Sequence, residues 1–325
     1  MRPAECRATL GGPLTKTDEY AALPWTFHCP FCHAPLGSRG QIEDGELSCE
    51  CGRRYPVQGG IPDFLTADQR AQYAPFLESY TRIRLAEGRG SPDAEFYCRL
   101  PDCPATHPLA WQWRIRACSF ALLRKRIIFR LPPRATILDL GAGNGWLSNR
   151  LAGQRHRPCA VDINIDKQDG LGAVRHYPID FAVARASFDC LPMKNGQVDA
   201  VVFNSSFHYS ADAERTLREA LRVLRSGGFL VIMDSPIYRH ESSGRKMLAE
   251  QHDQFEESFG DRSDSLDRIG FLTWDVLEAL GRSFDLDWHT TRPWYGLRWM
   301  LRPILARLRG RRAPAIFALV WAKRP

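Results

Sequence analysis

Three glycines at alternate positions follow a short apolar run near the middle of this 325-residue chain. The segment reads ILDLGAGNG over residues 137–145, with Gly141, Gly143 and Gly145 where the backbone must turn sharply and approach a ligand without a Cβ in the way. The spacing is G-x-G-x-G, whereas nicotinamide-binding enzymes use G-x-G-x-x-G and a P-loop requires a following Lys-Ser/Thr pair. The motif therefore predicts a strand, a ligand-binding turn and a helix, and it argues against both of those nucleotide-binding classes.

From residue 135 onward, apolar strand patterns alternate with helical ones. The pattern predicts strands over 136–140, 159–163, 198–204, 229–233, 284–289 and 315–322, and helices over 146–152, 217–224 and 273–280. Such alternation is typical of an α/β fold in which a parallel sheet carries helices on both faces.

This region resembles the class I S-adenosylmethionine-dependent methyltransferases of the type 11 kind. ILDLGAGNGWLSNRLA resembles the first motif of that family, and four further segments follow in the family's order: AVD at 160–162, SFDCLP at 187–192, VDAVVFN at 198–204 and LREALRVLRSGGFLVI at 217–232. The resemblance implies a Rossmann-like sheet, methyl transfer and S-adenosyl-L-methionine as the cofactor.

The same resemblance implies which residues bind the cofactor. Asp162 would hold both ribose hydroxyls, a bidentate task suited to a carboxylate. Ser187 stands where the family commonly has an aspartate, so either the Ser187 hydroxyl or Asp189 would contact the adenine amino group, beside the Phe188 amide and ring. The full implied cofactor set is Asp139, Gly141, Ala142, Gly143, Gly145, Asp162, Ile163, Ser187, Phe188, Asp189 and Asn204.

Four of the ten cysteines lie close together near the start of the chain: Cys29, Cys32, Cys49 and Cys51. Two thiol pairs can supply the four soft ligands of a tetrahedral Zn²⁺ site. The second pair has a one-residue spacer, so His28 or His33 is an alternative for one ligand. The stretch over 28–65 is similar to small zinc-ribbon-like domains that are fused to methyltransferases or activate them. A site filled by four protein ligands is closed and structural.

These observations divide the chain. We expect a leader at 1–24, a zinc-ribbon-like domain at 25–65, a helical linker or cap at 66–131 that closes over the cofactor, and a methyltransferase domain at 132–325 with insertions at about 235–270 and 293–312. No apolar run approaches the ~18 residues of a membrane helix, so we expect no transmembrane segment and a cytoplasmic protein.

Positive charge is concentrated at the C-terminal end. The formal net charge is +7, and nine basic residues but no acidic one follow Asp287. Within 293–312, four apolar residues share one helical face, and Pro303 should start or kink that helix: Leu297, Leu301, Ile304 and Leu308. Three interpretations remain open: a helix packed on the core, a peripheral membrane contact and an RNA contact.

The methyl acceptor should lie beside the residues that follow the 198–204 strand, because ligands of open α/β sheets bind outside the carboxyl ends of strands. This stretch lacks the N-P-P-Y signature of DNA amino-methyltransferases, and His208 is a candidate general base. The sequence favours methyl transfer to a small or lipid-like metabolite. The alternatives are an RNA methyltransferase that binds RNA with the zinc domain and the arginine-rich helix, and a non-catalytic scaffold protein that keeps the fold.

Overall fold

A computed structural model describes residues 25–36 and 44–325, and the predicted leader at 1–24 lies outside these ranges. The first described unit is a small antiparallel sheet of three strands, β1 (Gly45–Ser48), β2 (Arg54–Gln58) and β3 (Ile61–Pro62). Its buried side chains join those of the central sheet in one apolar cluster, so the small sheet rests on the larger domain.

Three helices connect the small sheet to the central one: α1 (Ala67–Ala86), α2 (Ala94–Arg99) and α3 (Ala110–Arg126). Helix α1 begins at a capping box, in which the Thr66 hydroxyl accepts from the Gln69 amide and the Gln69 side chain accepts from the Thr66 amide. These reciprocal bonds satisfy backbone groups that a helix start leaves free.

The described residues form a seven-stranded central sheet. Its strands are β4 (Thr136–Leu140), β5 (Arg157–Asp162), β6 (Ala182–Arg185), β7 (Val198–Asn204), β8 (Leu224–Met233), β11 (His289–Thr291) and β12 (Leu319–Lys323), in the spatial order β11-β12-β8-β7-β4-β5-β6. The five strands from β8 to β6 pair in parallel, and β12 is antiparallel to both of its neighbours. The predicted α/β, Rossmann-like fold class is confirmed.

Helices and one small sheet complete the domain: α4 (Trp146–Gly153), α5 (Ala213–Val223), β9 (Ile237–Tyr238), α6 (Glu241–Phe259), β10 (Leu272–Thr273), α7 (Trp274–Phe284), α8 (Leu297–Met300) and α9 (Arg302–Leu308). Strands β9 and β10 pair in parallel. Among the described residues, no helix combines the length and apolarity that crossing a membrane requires.

Side chains alternate between the two faces of the sheet. Leu138 and Phe203 belong to one buried cluster, while their neighbours Ile137 and Val202 belong to another. Both faces are therefore covered, as a parallel sheet requires. The order of the strands reverses at β4, because β5 and β6 lie on one side of it and β7 and β8 on the other. The carboxyl edge at this reversal is where open α/β sheets bind ligands.

One predicted strand is wrong. Residues 284–289 do not form a strand, since Phe284 is the last residue of α7 and the edge strand β11 begins only at His289. Asp285 ends the helix in the left-handed conformation, with φ of 53°. The apolar residues after it pack back on the helix, where the Leu286 amide donates to the Gly281 carbonyl. The four-residue strand β6 was not predicted, because it is too short to show a period.

Candidate functional site

The glycine turn lies between β4 and α4, and its backbone conformation favours glycine at three positions. Gly141, Gly143 and Gly145 all have φ between 55° and 77°, a region that favours glycine. A Cβ on Gly141 would overlap the Ser206 side chain, whereas a Cβ on Gly143 would come no closer than 3.8 Å to another residue. The turn thus packs against the β7 loop on one side and leaves backbone open to the cavity on the other.

Asp162 ends β5 beside this turn. Its Oδ2 accepts from the Gly143 amide and its Oδ1 from the Asn164 amide, each at 2.8 Å. Burial raises the pKa of this carboxyl, and the two amides oppose that effect. A carboxylate offers about four acceptor positions, so two of them stay free for ligand hydroxyls. The residue fits the ribose-binding role that the resemblance implies.

The loop after β6 forms the next wall of the cavity. The Tyr73 hydroxyl donates to Ser187 Oγ at 3.4 Å, and Thr216 Oγ1 donates to Asp189 Oδ1 at 2.6 Å. Phe188 lies edge to face against Phe203 with ring centroids 5.6 Å apart. All three predicted adenine-side residues line the cavity, together with Ile163.

Helix α1 covers the cavity. Tyr73, Phe76, Leu77 and Tyr80 recur with helical spacing and line its roof. The Phe76 ring lies 5.2 Å from the ring of Tyr80 and 6.2 Å from that of Tyr209. The sequence predicts a helical segment that closes over the cofactor. Helix α1 covers this cavity, and its closure over a bound cofactor stays a prediction.

A charged cluster lies at the end of this aromatic roof. Arg84 Nη2 donates to the Tyr80 hydroxyl at 2.9 Å and lies 3.5 Å from the Tyr209 hydroxyl, while the Arg268 guanidinium lies 5.1 Å from the centre of the Tyr209 ring. Burial alone would raise the pKa of Tyr209, but the two guanidinium groups hold that pKa below its ordinary value. Tyr209 lines the cavity.

His208, the predicted general base, is not among the residues that line this cavity. Its Nδ1 lies 3.2 Å from Ser235 Oγ. Burial, together with Arg268 and Arg84, lowers the pKa of His208 to about 3, so the ring is neutral at physiological pH. Its role as a base stays a prediction, and the neighbouring Tyr209 lies at the cavity wall instead.

Four of the predicted cofactor residues support the cavity from behind rather than lining it: Asp139, Ala142, Gly145 and Asn204. Asp139 is fully buried and accepts from Ser148 Oγ at 2.9 Å. Burial raises the pKa of Asp139 to about 7, and the negative charge of Asp162 adds to this effect. Its Oδ1 has no hydrogen-bond partner among the described residues.

The four predicted metal-binding thiols come together in the small sheet. The sulfurs of Cys29, Cys32, Cys49 and Cys51 all lie within 4.8 Å of one another. Sulfurs around a tetrahedral zinc ion with bonds of ~2.3 Å are about 3.8 Å apart, so the cluster has the size that such an ion needs. In the described part of the chain, neither His28 nor His33 belongs to this group.

The small sheet contacts the loop that leads into the adenine-side wall. The Phe64 amide donates to the Arg185 carbonyl at 2.8 Å, and the Asp63 carboxylate pairs with the Arg185 guanidinium at 3.1 Å. Further along the loop, the His28 amide donates to the Pro192 carbonyl at 2.9 Å. The unit that carries the four thiols therefore supports both ends of the segment that carries Ser187 and Phe188.

Sequence reasoning missed several residues of the cavity: Asn164, Asp169, Thr216, Leu266 and Asp267, with Arg84 and Arg268 behind them. Ser206 and Tyr209 follow β7, where the strand-end argument places the acceptor, and both line the cavity. The two arginines come from segments far apart in sequence and carried no local signal.

Comparison with known proteins agrees with the two resemblances. Residues 138–232 match the family described as methyltransferase domain, and residues 28–60 match the family described as Trm112p-like protein. Residues 138–232 are thus similar to a methyltransferase domain and residues 28–60 to a Trm112-like unit, in agreement with the resemblances inferred from the motifs.

Individual relatives match only part of the chain. The sarcosine/dimethylglycine N-methyltransferase of Halorhodospira halochloris is 34% identical over 115 residues, which are 32% of this chain and 39% of the relative. The malonyl-[acyl-carrier protein] O-methyltransferase of Hahella chejuensis is 33% identical over 97 residues, which are 29% of this chain and 34% of the relative. The chain therefore spans about two fifths of the length of the curated relatives it matches.

Among solved structures, one similar chain comes from the complex between the Haloferax volcanii Trm112 methyltransferase activator and a candidate methyltransferase. It is 19% identical, with a TM-score of 0.47, over 72% of this chain and all of that one.

Proposed function

We propose that this chain, a methyltransferase domain joined to a Trm112-like unit, transfers a methyl group from S-adenosyl-L-methionine to a small or lipid-like acceptor. The observation that carries the proposal is the Asp162 carboxylate, which is held by the Gly143 and Asn164 amides at 2.8 Å beside a turn with open backbone. When bound, the cofactor supplies an electrophilic methyl group on a cationic sulfur.

Different residues around the cavity bind different parts of the cofactor. The Asp162 carboxylate accepts hydrogen bonds from the ribose hydroxyls. The backbone of Gly141 and Gly143 approaches the amino-acid end of the cofactor. Ser187 or Asp189 contacts the adenine amino group beside Phe188. Asp139, Ala142, Gly145 and Asn204 keep the turn and the strand ends in place from behind, and Ile163 packs beside the base.

The α1 roof excludes water and faces the site with aromatic rings. Tyr73, Phe76 and Tyr80 present π-electron faces, which attract a cationic sulfonium. Methyl transfer removes the positive charge of the donor, so a water-poor site that solvates the cation weakly favours the reaction. Tyr209 would accept the acceptor's proton, because the nearby guanidinium groups of Arg84 and Arg268 stabilise its phenolate form.

The enclosed aromatic cavity supports a small or lipid-like acceptor. A helix that covers the donor leaves little space for a folded nucleic acid to reach the methyl group. The names of the relatives agree with this, since one acts on sarcosine and dimethylglycine and the other on malonyl-[acyl-carrier protein].

The thiol cluster would hold Zn²⁺ in a structural role. All four ligands come from the protein, so no coordination position is left for a substrate. We infer that the metal holds the small sheet against the 185–192 loop and thereby orders the adenine-side wall.

Donor binding is tested first by calorimetric titration with S-adenosylhomocysteine. We expect binding by the wild type and a loss of at least tenfold in Asp162→Asn, because one charge-assisted bidentate contact is removed. Asp180→Asn changes an exposed carboxylate that does not line the cavity and is the matched control. Binding that is unchanged in Asp162→Asn would contradict the proposed donor site.

Turnover is tested with methyl-labelled donor against pools of small metabolites, lipids and RNA. We expect transfer to small or lipid-like compounds, and a Tyr209→Phe variant with a lower kcat but unchanged S-adenosylhomocysteine affinity. Transfer confined to RNA would replace the acceptor proposal. Binding of the donor with no turnover on any pool would favour a scaffold protein.

A further inference from the structure

The outward face of α8 and α9 carries a row of exposed apolar side chains. Leu297, Leu301, Ile304 and Leu308 are spaced by four, three and four residues, which places them on one side of a helix. Between 49% and 78% of the surface of each is exposed. In the described part of the chain, seven of the thirteen exposed large apolar residues lie between residues 294 and 308. The apolar row itself therefore does not pack on the core of the described chain.

The opposite face of the same segment is anchored to the domain. The Trp299 ring lies 5.9 Å from that of Phe317, and the Arg302 guanidinium lies 3.2 Å from the centre of the Trp299 ring. The Tyr295 hydroxyl lies 2.8 Å from Ser119 Oγ on α3. The segment is therefore held in place with its apolar row turned outward, and the exposure does not come from detachment.

Positive charge flanks the apolar row. At 100° per residue, Arg298 and Arg309 lie on one side of the row and Arg307 on the other, and Arg311 follows. All four are exposed, and no acidic residue follows Asp287 in the chain. An apolar stripe between basic borders is the pattern of helices that lie in the plane of a membrane surface.

We propose that this face, the outward side of 294–311, docks on the surface of anionic membranes. The leucine and isoleucine side chains would enter the boundary of the acyl chains while the arginines stay at the level of the lipid phosphates. Trp294 and Trp111 are exposed near the row, and indole rings favour this level of the bilayer.

Charge and apolarity together select a membrane over other partners. An RNA contact would place arginines at the centre, whereas here the centre is apolar and the arginines form the borders. A symmetric pair of these faces would bring like charges together along both borders.

Docking would bring the membrane near the edge of the sheet that binds the donor. Tyr295 lies 3.5 Å from Asp234, which follows directly on the carboxyl end of β8. A lipid-like acceptor would then be reached at this edge, a consequence that rests on the proposed function. The docking itself does not depend on methyl transfer.

The test is co-sedimentation of the full chain with vesicles, either of phosphatidylcholine alone or of phosphatidylcholine mixed with phosphatidylglycerol. We expect binding to the mixed vesicles that weakens with salt. The double variant Leu301→Glu with Ile304→Glu should lose at least tenfold in affinity, because two apolar anchors are replaced by like-charged groups. Arg307→Gln should lose about fivefold on mixed vesicles. Val276→Glu changes an exposed apolar residue on α7 and should bind as the wild type does.

Three outcomes would overturn the proposal. The first is that the wild type does not bind vesicles. The second is RNA binding that needs the arginines but not Leu301 and Ile304, and the third is a wild-type dimer that the double variant converts to monomer. Calorimetry with S-adenosylhomocysteine on the same variants separates the two proposals. Failure of docking leaves donor binding intact, and failure of the donor site leaves vesicle binding intact.

Discussion

Helix α1 and the α8–α9 segment are both peripheral helices with apolar residues at helical spacing, yet they have opposite surroundings. On α1, Phe76 is 3% exposed and packs over the donor cavity, while Leu308 on α9 is 78% exposed. Each segment also has a polar attachment, through Arg84 in α1 and through Tyr295 before α8. The comparison shows that an amphipathic pattern specifies a face that needs a partner, and the rest of the fold decides whether the partner comes from the same chain.

The largest expected difference between the two segments is in stability. Phe76→Ala should lower the free energy of unfolding by about 3–5 kcal/mol, because it leaves a cavity between α1 and Tyr209. Leu308→Ala should change it by no more than about 0.5 kcal/mol, because the side chain is already in water. Urea denaturation of both variants measures this. Equal losses of unfolding free energy in the two variants would mean that the apolar row of α8 and α9 packs on the domain.

The second prediction concerns the anchor of the C-terminal segment and its dependence on pH. Burial raises the pKa of Asp234 to about 6, against the opposing effects of Ser119 and Arg116. The folded state therefore holds this proton more tightly than the unfolded chain does. Stability from this group is present below about pH 4 and is lost as pH rises towards 6, by about 3 kcal/mol in all.

Asp234→Asn removes that titration. Its free energy of unfolding, relative to the wild type, should rise between pH 4 and pH 7 and then stay level. Denaturation curves of both proteins at each pH provide the measurement. If the free energy of unfolding of the wild type instead rose with pH relative to that of the variant, the fold would stabilise the charged carboxylate rather than the protonated one.

A smaller effect is expected at the other end of this anchor. Tyr295→Phe removes the hydroxyl that contacts Ser119 at 2.8 Å and should cost about 1 kcal/mol. Because the loss is local, cleavage by trypsin at Arg307 and Arg309 should accelerate more than global unfolding does. Unchanged cleavage would indicate that the Trp299 and Arg302 contacts hold the segment by themselves.

The smallest effect should come from the surface ion pair at α1. Arg82 Nη2 lies 2.6 Å from Asp261 Oδ2, and Arg82 is exposed. A double-mutant cycle with Arg82→Ala and Asp261→Ala should give a coupling below about 1 kcal/mol that disappears in high salt. A larger coupling that resists salt would mean that α1 is fixed by charge as much as by burial.

Much of the proposed cofactor-binding side of the cavity could be predicted from the sequence, because its features are local. The apolar run before Gly141, the turn itself and the acidic end of β5 lie within a few residues of each other or repeat a strand-helix pattern. The thiol pairs at Cys29 and Cys49 were likewise readable from their spacing. The glycine turn, the acidic end of β5 and the group of four thiols then appear in the structure where the sequence pattern predicts them.

The charged cluster on the proposed acceptor side of the cavity could not be predicted in the same way. Arg84, Tyr209 and Arg268 come from three separate segments, and only packing of α1 on the β7 loop brings them together. His208 looked like the better base in sequence, since its ordinary pKa is closer to neutral than that of a tyrosine. The fold turns His208 towards Ser235 and Tyr209 towards the cavity.

The sequence by itself determined most of the central sheet, the glycine turn, the thiol cluster and the apolar row at 297–308. Each of these depends on dihedral preferences, on the spacing of a few residues or on the period of apolar residues, which act over short stretches of chain. Only the tertiary structure decided that the face of α1 covers the cavity and that the row on α8 and α9 faces outward. Burial depends on which distant segments arrive at a surface, and no local pattern carries that information.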